Sequence, residues 1–339
     1  MKTFRLLFIL ILGIYSFPIS AVPVSGLYQT TVSVADESIS SRTTALKKAM
    51  QQVLVKLSGN INIINQSGAN EIINRAQDYV QQFRYQQSQE LLEILVKFDE
   101  NALNQAMRTY ALTLWGRERP AVIVWLVNES DSGRQMVSLE DSPEILSSLE
   151  KAAMTRGVPL LFPLFDLQDR EQLSVSDVWA GFKEPVLNAS RRYQADAVLI
   201  GKMSPFGATG ADTQWTLFLD DQTQNWSAQG DLPELVLTES MNRLADSLAN
   251  QYAKITNSGG ELLQVTVSNI YNLKDYASTL LYLESLQAVT EVMVKQVNQG
   301  EVVFELISHG GRLAINQAIR LGNVLQLAGD ESSGLYRLQ

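Results

Sequence analysis

The 339-residue sequence contains no cysteine and only one histidine, His309. The absence of cysteine excludes disulfides and the attachment of lipid to an N-terminal cysteine, so we expect no lipid anchor. One histidine without cysteine cannot build a zinc site, and we predict no metal and no other cofactor. His309 precedes two glycines, and we interpret it as a turn residue. Stability must therefore come from packed apolar cores.

The sequence also lacks the motifs that mark several large classes of enzyme. Neither G-x-x-x-x-G-K-[ST] nor G-x-G-x-x-G occurs, which removes the usual phosphate cradles for ATP and NAD. The serine hydrolase motif G-x-S-x-G is missing as well. The sequence therefore favours a protein without catalytic activity over an enzyme.

Residues 1–21 have the layout of a cleavable signal peptide. Lys2 and Arg5 precede an apolar run at residues 6–17, Pro18 breaks that run, and Ala21 is a small residue at a plausible cleavage point. An uncleaved membrane anchor is the alternative, but the run is shorter than the ~20 residues that a spanning helix needs. We therefore expect a periplasmic protein with no transmembrane segment after signal cleavage.

Basic residues are few in the remainder of the chain. Without Lys2 and Arg5, the about 318 residues after the signal carry 25 basic and 36 acidic side chains, a net charge of −11. This charge repels phosphate groups and argues against nucleic acid and anionic membrane surfaces as partners. The apolar content of 45% indicates a globular chain.

The order of predicted elements indicates a mixture of α/β and α+β folds in three small domains, at residues 22–117, 118–256 and 257–339. Linkers rich in glycine, proline or charge separate them, around residues 116–120 and 256–260. In the first domain we predict a strand at 27–34 and an amphipathic helix from the N-cap Ser41 to Gly59. A weaker helix, two strands and a helix at 100–108 follow.

The middle domain reads as strand, helix, strand, helix, strand. AVIVWLV at 121–127 and ADAVLIGKM at 195–203 are apolar on both faces, which is typical of central parallel strands covered by helices. We interpret NESDSGRQ after the first strand as a polar loop. An antiparallel hairpin around DDQTQN and a long helix at 233–253, with Leu235 inward, extend the sheet.

The last domain has the order strand, helix, strand, strand, helix, strand. The strands are LLQVTV, VTEVMVKQV, EVVFELIS and LYRL, and the helices are LKDYASTLLYLESL and GRLAINQAIRL. This βαββαβ order is that of the ferredoxin-like fold.

Several motifs resemble those of a family of secreted proteobacterial proteins, the domain of unknown function 2066. They are LYQTTVSV, R-x-x-A-L-x-x-A-x-x-x-V-L-V-K-L-S-G, RPAVIVWL, RGVPLLFPLFDLQD and ASRRYQADAVLIGKM. The resemblance covers most of the chain after the signal and implies no activity. The middle segment is also similar in topology to the amino-terminal domain of TolB and to the curli secretion lipoprotein, which act by assembly and partner binding. Fold alone does not determine function.

The best candidate for a binding site follows VPLLFPL and contains Asp166 and Asp169, with Asp177 further along. In open α/β sheets, ligands collect beyond the carboxyl ends of the strands. The carboxylates could bind a hard cation or supply a general base. The alternative, which we favour, is a solvated loop whose aspartates cap the next helix, since two carboxylates are few for a divalent cation.

The run Arg191-Arg192-Tyr193 offers a second candidate. A guanidinium group can clamp a carboxylate or a phosphate, so Arg191 joins the three aspartates as a predicted ligand-binding residue. The alternative is an ordinary helix end, where cations oppose the helix dipole and Tyr193 packs inward. Of the five tryptophans, Trp125 lies in a central strand and is predicted to be core.

Two hypotheses for function follow. The first is a non-catalytic envelope protein that binds an unidentified protein partner, in the assembly of the outer membrane or of an appendage. The second is a periplasmic small-ligand binder or hydrolase that uses the loop from Asp166 to Asp177. A closed pocket with converging charges favours the second, and exposed apolar surface favours the first.

Overall fold

The computed structural model describes residues 24, 26–88, 91–117, 119–255, 260–308 and 310–339. The predicted signal peptide and His309 lie outside these residues. The described part of the chain forms ten α-helices and sixteen strands in four sheets, which confirms the mixed α/β and α+β fold class. The domain boundaries stay a prediction, and we describe three units, each built on one sheet.

The N-terminal unit is a three-stranded antiparallel sheet, in the order β1-β3-β2, packed against helices. Its elements are β1 (Gln29–Ser33), α1 (Ile39–Ser58), α2 (Ser67–Asn74), β2 (Val80–Ser88), β3 (Leu91–Phe98) and α3 (Glu100–Thr109). A short strand, β4 (Thr113–Leu114), leads out of the unit.

Helix α1 carries the apolar stripe that its sequence predicts. The residues of this stripe are at most 5% exposed, and they are Ala45, Leu46, Ala49, Met50, Val53, Leu54 and Leu57. The helix begins earlier than predicted because Ser38, not Ser41, is the N-cap, and the Ser38 hydroxyl accepts the Ser41 N–H at 3.2 Å. Gly59 ends the helix at φ 66°, where an added Cβ would overlap Trp115 and Ala249.

The central unit is built on a six-stranded sheet in the order β10-β9-β8-β5-β6, with β7 also paired to β5. Its strands are β5 (Val122–Ser130), β6 (Gly133–Met136), β7 (Leu160–Leu161), β8 (Ala197–Phe206), β9 (Gly210–Leu219) and β10 (Gln222–Gly230). Its helices are α4 (Pro143–Thr155), α5 (Leu167–Gln172), α6 (Val175–Ala180), α7 (Lys183–Ser190) and α8 (Pro233–Tyr252). After α8, β11 (Lys254–Ile255) pairs with β4.

The parallel core with an antiparallel extension is present as predicted. Strand β5 pairs in parallel with β7 and β8, and β8, β9 and β10 continue as antiparallel neighbours. Both faces of β5 are buried, because its alternate residues belong to different apolar clusters on the two sides of the sheet. Trp125 is 0% exposed, which confirms its prediction as core.

Three local predictions in the central unit are wrong. The segment NESDSGRQ is not a loop, because Asn128 pairs with Gln135 in the β5–β6 hairpin; its polar composition suits an exposed sheet edge. The stretch interpreted as a loop from Asp166 to Asp177 contains helix α5 and the start of helix α6. Leu235 is 63% exposed, and Val236, at 4%, takes the inward position on α8.

The C-terminal unit has a five-stranded sheet in the order β13-β14-β12-β16-β15. Its elements are β12 (Glu261–Ile270), α9 (Leu273–Ser285), β13 (Val289–Asn298), β14 (Gly300–Ser308), α10 (Gly311–Leu321), β15 (Leu325–Leu327) and β16 (Leu335–Leu338). Strands β12, β14 and β13 have the ferredoxin-like arrangement, but the final strand departs from it. Strand β16 runs parallel to β12, because the additional strand β15 turns the chain around after α10.

Two buried arginines join the N-terminal and central units. Arg119, 5% exposed, donates to the backbone oxygens of Lys56, Trp115, Gly116, Arg156 and Gly157 at 2.8–3.0 Å. These carbonyls include the last turn of α1 and the end of α4, so one cation caps two helices. Arg156, 2% exposed, donates to the oxygen of Gly59 and to Asp246 on α8.

The C-terminal unit contacts both of the others. Gln287 forms a hydrogen bond with Tyr28 of the N-terminal unit. Arg320 lies 3.6 Å from the carboxylate of Asp220, and Leu321 belongs to the apolar cluster of the central unit. Side chains of all three units therefore meet within the described residues.

Candidate functional site

The buried carboxylate of Asp169, 1% exposed, is the centre of the predicted site. Its oxygens accept the N–H of Phe165 at 2.9 Å, the hydroxyl of Tyr193 at 2.5 Å and Nη1 of Arg192 at 3.1 Å. We call Asp166, Asp169, Arg192 and Tyr193 the Asp169 cluster. A buried carboxylate is tolerated here because three donors, one of them the cation of Arg192, compensate for its lost hydration.

Asp166 forms the exposed side of the cluster. Arg192 binds it with both terminal nitrogens, at 2.7 and 2.8 Å, and Asp166 also N-caps α5 by accepting the Asp169 N–H. The hydrogen bond from Arg192 lowers the pKa of Asp166 to about 2, and the same bond raises the pKa of Arg192. The pair therefore stays ionised at any physiological pH.

Tyr193 attaches the cluster to the sheet. Its hydroxyl accepts the Leu164 N–H at 2.9 Å, and burial, followed by the hydrogen bond to Asp169, raises its pKa to about 12. Its ring meets Trp125 of β5 edge to face at 6.2 Å, and Phe165 meets the same indole at 5.8 Å. The loop after β7 is therefore fixed to the middle of a central strand.

Phe165 has a left-handed backbone, with φ 51°. Bulky residues rarely adopt this conformation, and it persists only where the surroundings impose it. Here its N–H donates to Asp169 and its carbonyl accepts Nε of Arg170 at 2.8 Å. Leu164, which precedes Phe165, and Leu167, the first residue of α5, are 69% and 72% exposed.

The chemistry of the cluster is structural. Asp166 remains a carboxylate and Tyr193 a neutral phenol around pH 7, so neither is poised to exchange a proton with a substrate. The charge of Arg192 occupies the place that a cation would take between the two aspartates. Within the described ranges, no group of three or more His, Cys, Asp and Glu side chains could hold a metal ion.

The structure brings together two of the four residues predicted for this site. Asp166 and Asp169 meet, but Asp177 forms a capping box with Ser174 at the start of α6, and Arg191 is exposed. Arg192 and Tyr193 are the partners that sequence reasoning did not connect to the aspartates. Strand β7 is two residues long and pairs with the first residues of β5, so its loop folds back beside Trp125.

A separate groove of about 890 Å³ lies between the N-terminal and central units. Lys56 of α1 is in its wall and donates to the backbone oxygens of Gly26 at 3.2 Å and Gln29 at 3.0 Å. Burial, and then repulsion from Arg119, lowers the pKa of Lys56 to about 8. The lysine in this groove therefore has a lower pKa than an exposed lysine, and in the part of the chain that the structure describes no carboxylate forms an ion pair with it.

Residues 21–116 match the family model described as Domain of unknown function (DUF8605). The resemblance to the domain of unknown function 2066, drawn from motifs along the chain, is not confirmed. No curated protein matches the sequence. The topological similarity to TolB and to the curli secretion lipoprotein stays a prediction.

Two solved structures are similar to parts of the chain. Lipoprotein GNA1162 from Neisseria meningitidis is 14% identical, with a TM-score of 0.26, over 38% of this chain and 99% of its own. A structure titled only as an uncharacterized protein is 11% identical, with a TM-score of 0.19, over 40% of this chain and 92% of its own. Among the helices of the described residues, none has the length and apolarity to cross a membrane.

Proposed function

We propose that this chain is an exported envelope protein that works in the periplasm, binds a protein partner in an assembly, and catalyses no reaction. The signal-like residues 1–21 support export, and the net charge of −11 after their removal makes nucleic acid an unsuitable partner. We also propose kinship with the domain of unknown function 2066 beyond residue 116, on the motifs RPAVIVWL and ASRRYQADAVLIGKM.

The observation that carries the proposal is a pair of outward leucines beside the Asp169 cluster, Leu164 on the loop after β7 and Leu167 at the start of α5. Leu164 and Leu167 are 69% and 72% exposed, and each exposes apolar surface that a partner would bury. The loop is already ordered by a buried carboxylate and by the left-handed Phe165. The loop therefore loses little conformational entropy when a partner binds it, which is the usual advantage of a rigid binding surface.

The test replaces both leucines with glutamine and compares the proteins that cross-link to the chain in the periplasm. The Leu164→Gln/Leu167→Gln protein should lose a specific cross-linked partner and keep its melting temperature, because both side chains are already in solvent. Leu281→Gln, at a leucine 65% exposed on α9, is the matched control and should keep the partner. The same cross-links in all three proteins would contradict the proposal.

Export has its own test, by fractionation and mass spectrometry of the N-terminus. The expected species begins close after residue 21 and is released with the periplasmic fraction. A cytosolic protein that retains Lys2 and Arg5 would refute the location without bearing on the leucine surface.

A further inference from the structure

Strand β13 is the outer strand of the C-terminal sheet. Within the described residues it pairs only with β14, so its other edge presents backbone N–H and C=O groups to solvent over ten residues. Its side chains from Thr290 onward are exposed or half-buried, and Val297 is 65% exposed. An edge of this length is a template for pairing with another strand.

The face of β13 away from the helices carries opposite charges around a central methionine. Glu291 pairs in register with Ile307 and Met293 with Glu305, and Nζ of Lys295 lies 2.6 Å from Oε1 of Glu305. Glu291, Met293 and Lys295 therefore share one face. Register shifts at Thr290 and Lys295 leave Glu291–Val294 as the regular stretch, and Lys295 follows it as the extra residue of a bulge whose side chain still reaches Glu305.

We propose that β13 pairs with β13 of a second copy of this chain, antiparallel, with the two-fold axis at Met293. In that register Glu291 faces Lys295 of the partner subunit, and the reverse contact occurs on the other side of the axis. On the opposite face Val292 meets Val294 of the partner subunit. Only Met293 meets its own equivalent.

A second copy explains this pattern better than an unrelated strand does. Opposite charges across an antiparallel pair stabilise it, whereas like charges directly opposite destabilise it. A foreign strand requires no symmetry about Met293, but a strand that pairs with itself requires charges that complement each other across the axis. The contact is isologous and closes after two subunits, which gives a dimer and not a fibre.

The test measures the mass of the purified protein by sedimentation equilibrium over a wide range of concentration. The unchanged protein should form a reversible dimer that weakens as salt is added. Glu291→Lys and Lys295→Glu should each raise the dissociation constant at least about tenfold, because each creates two like-charge pairs per dimer. The double variant Glu291→Lys/Lys295→Glu should dimerise again, since it exchanges the charges across the axis.

Two controls separate this contact from general effects of charge. Lys274→Glu and Glu284→Lys make the same charge changes at exposed positions of α9 and should leave the dimer intact. Lys295→Glu also breaks the contact of Lys295 with Glu305 within the subunit. Glu291→Lys leaves that contact intact, so Glu291→Lys tests the interface alone. A monomer at every concentration, or a double variant that fails to recover the dimer, would overturn the proposal.

Discussion

The amide of Gln287 donates a hydrogen bond of 2.7 Å to the hydroxyl of Tyr28, across 259 positions of sequence. Tyr28 in turn donates to Asn104 at 2.9 Å and is 6% exposed. Burial, and then the charge of Glu100, raises the pKa of Tyr28 to about 12, so its proton remains available for Asn104. One hydroxyl therefore connects the C-terminal unit to the core of the N-terminal unit.

Tyr28→Phe tests this connection. The substitution leaves the half-buried amide of Gln287 and the buried oxygen of Asn104 without their partner, and we expect a loss of about 1–3 kcal/mol in the free energy of unfolding. Urea unfolding gives the loss, and hydrogen exchange should show faster opening around residues 286–289. Tyr271→Phe, at a tyrosine 75% exposed, is the control and should change neither quantity. Unchanged exchange in Tyr28→Phe would show that the contact does not hold the units together.

Arg119→Lys tests the joint between the N-terminal and central units. Lysine has at most three donors for the five carbonyl oxygens that Arg119 binds, so at least two buried oxygens lose their partner. We expect a loss of about 2 kcal/mol or more, measured by urea unfolding.

The matched control is Arg243→Lys. Arg243 forms an exposed pair with Glu239 one helical turn away, and such a pair contributes about 0.5 kcal/mol at most. Equal losses in the two variants would mean that the carbonyl contacts of Arg119 add nothing beyond an ordinary surface arginine.

Asp166→Asn tests the electrostatics of the Asp169 cluster as a function of pH. Asparagine is also a good N-cap, so the substitution removes the charge and keeps the cap on α5. The pKa of Asp166 is lowered from 3.8 to about 2 in the folded chain, so its stabilisation is present above about pH 4 and is lost as the pH falls towards 2. The melting temperatures of the two proteins should therefore differ at pH 7 and converge near pH 2. A difference that persists at pH 2, or resists 1 M salt, would contradict an ionic origin.

Lys56→Met tests the lowered pKa of the buried lysine. The folded chain holds this pKa at about 8, against 10.5 for an ordinary lysine, so between these values the unfolded chain binds more protons. The unchanged protein should therefore gain stability relative to Lys56→Met as the pH rises from 8 towards 10. Lys48→Met, on the exposed side of the same helix, controls for the lost charge. A constant difference across this range would show that burial does not perturb Lys56.

Elements with strong periodicity could be predicted from the sequence. A helix or strand that buries one face repeats its apolar residues at a fixed spacing, and a strand that buries both faces is apolar throughout. The stripe of α1 and the doubly buried β5 and β8 are examples. The short helices α5 and α6 could not be found this way. They have six residues each and are defined by the caps Asp166 and Ser174, not by an apolar stripe.

The candidate site could be predicted only in part, because its contacts join distant segments. Asp166 and Asp169 were visible as a pair near the end of a strand. Arg192 lies 26 positions after Asp166 and 23 positions after Asp169. Its contact with both depends on where the two-residue strand β7 ends. Pro159 and Pro163 predict that only the centre of VPLLFPL pairs in a ladder, as Leu160–Leu161 do, but nothing in that segment shows where the loop after it lies.

The match to a family of unknown function ends at residue 116, three positions before Arg119. The last turn of α1 lies within that match, but the guanidinium that caps it does not. A relative that carries only this segment must supply a cation from elsewhere or leave those carbonyls to water. The matched segment is therefore not a freely exchangeable module, and transplanting it without the three residues that follow would expose carbonyl groups that Arg119 covers in this protein.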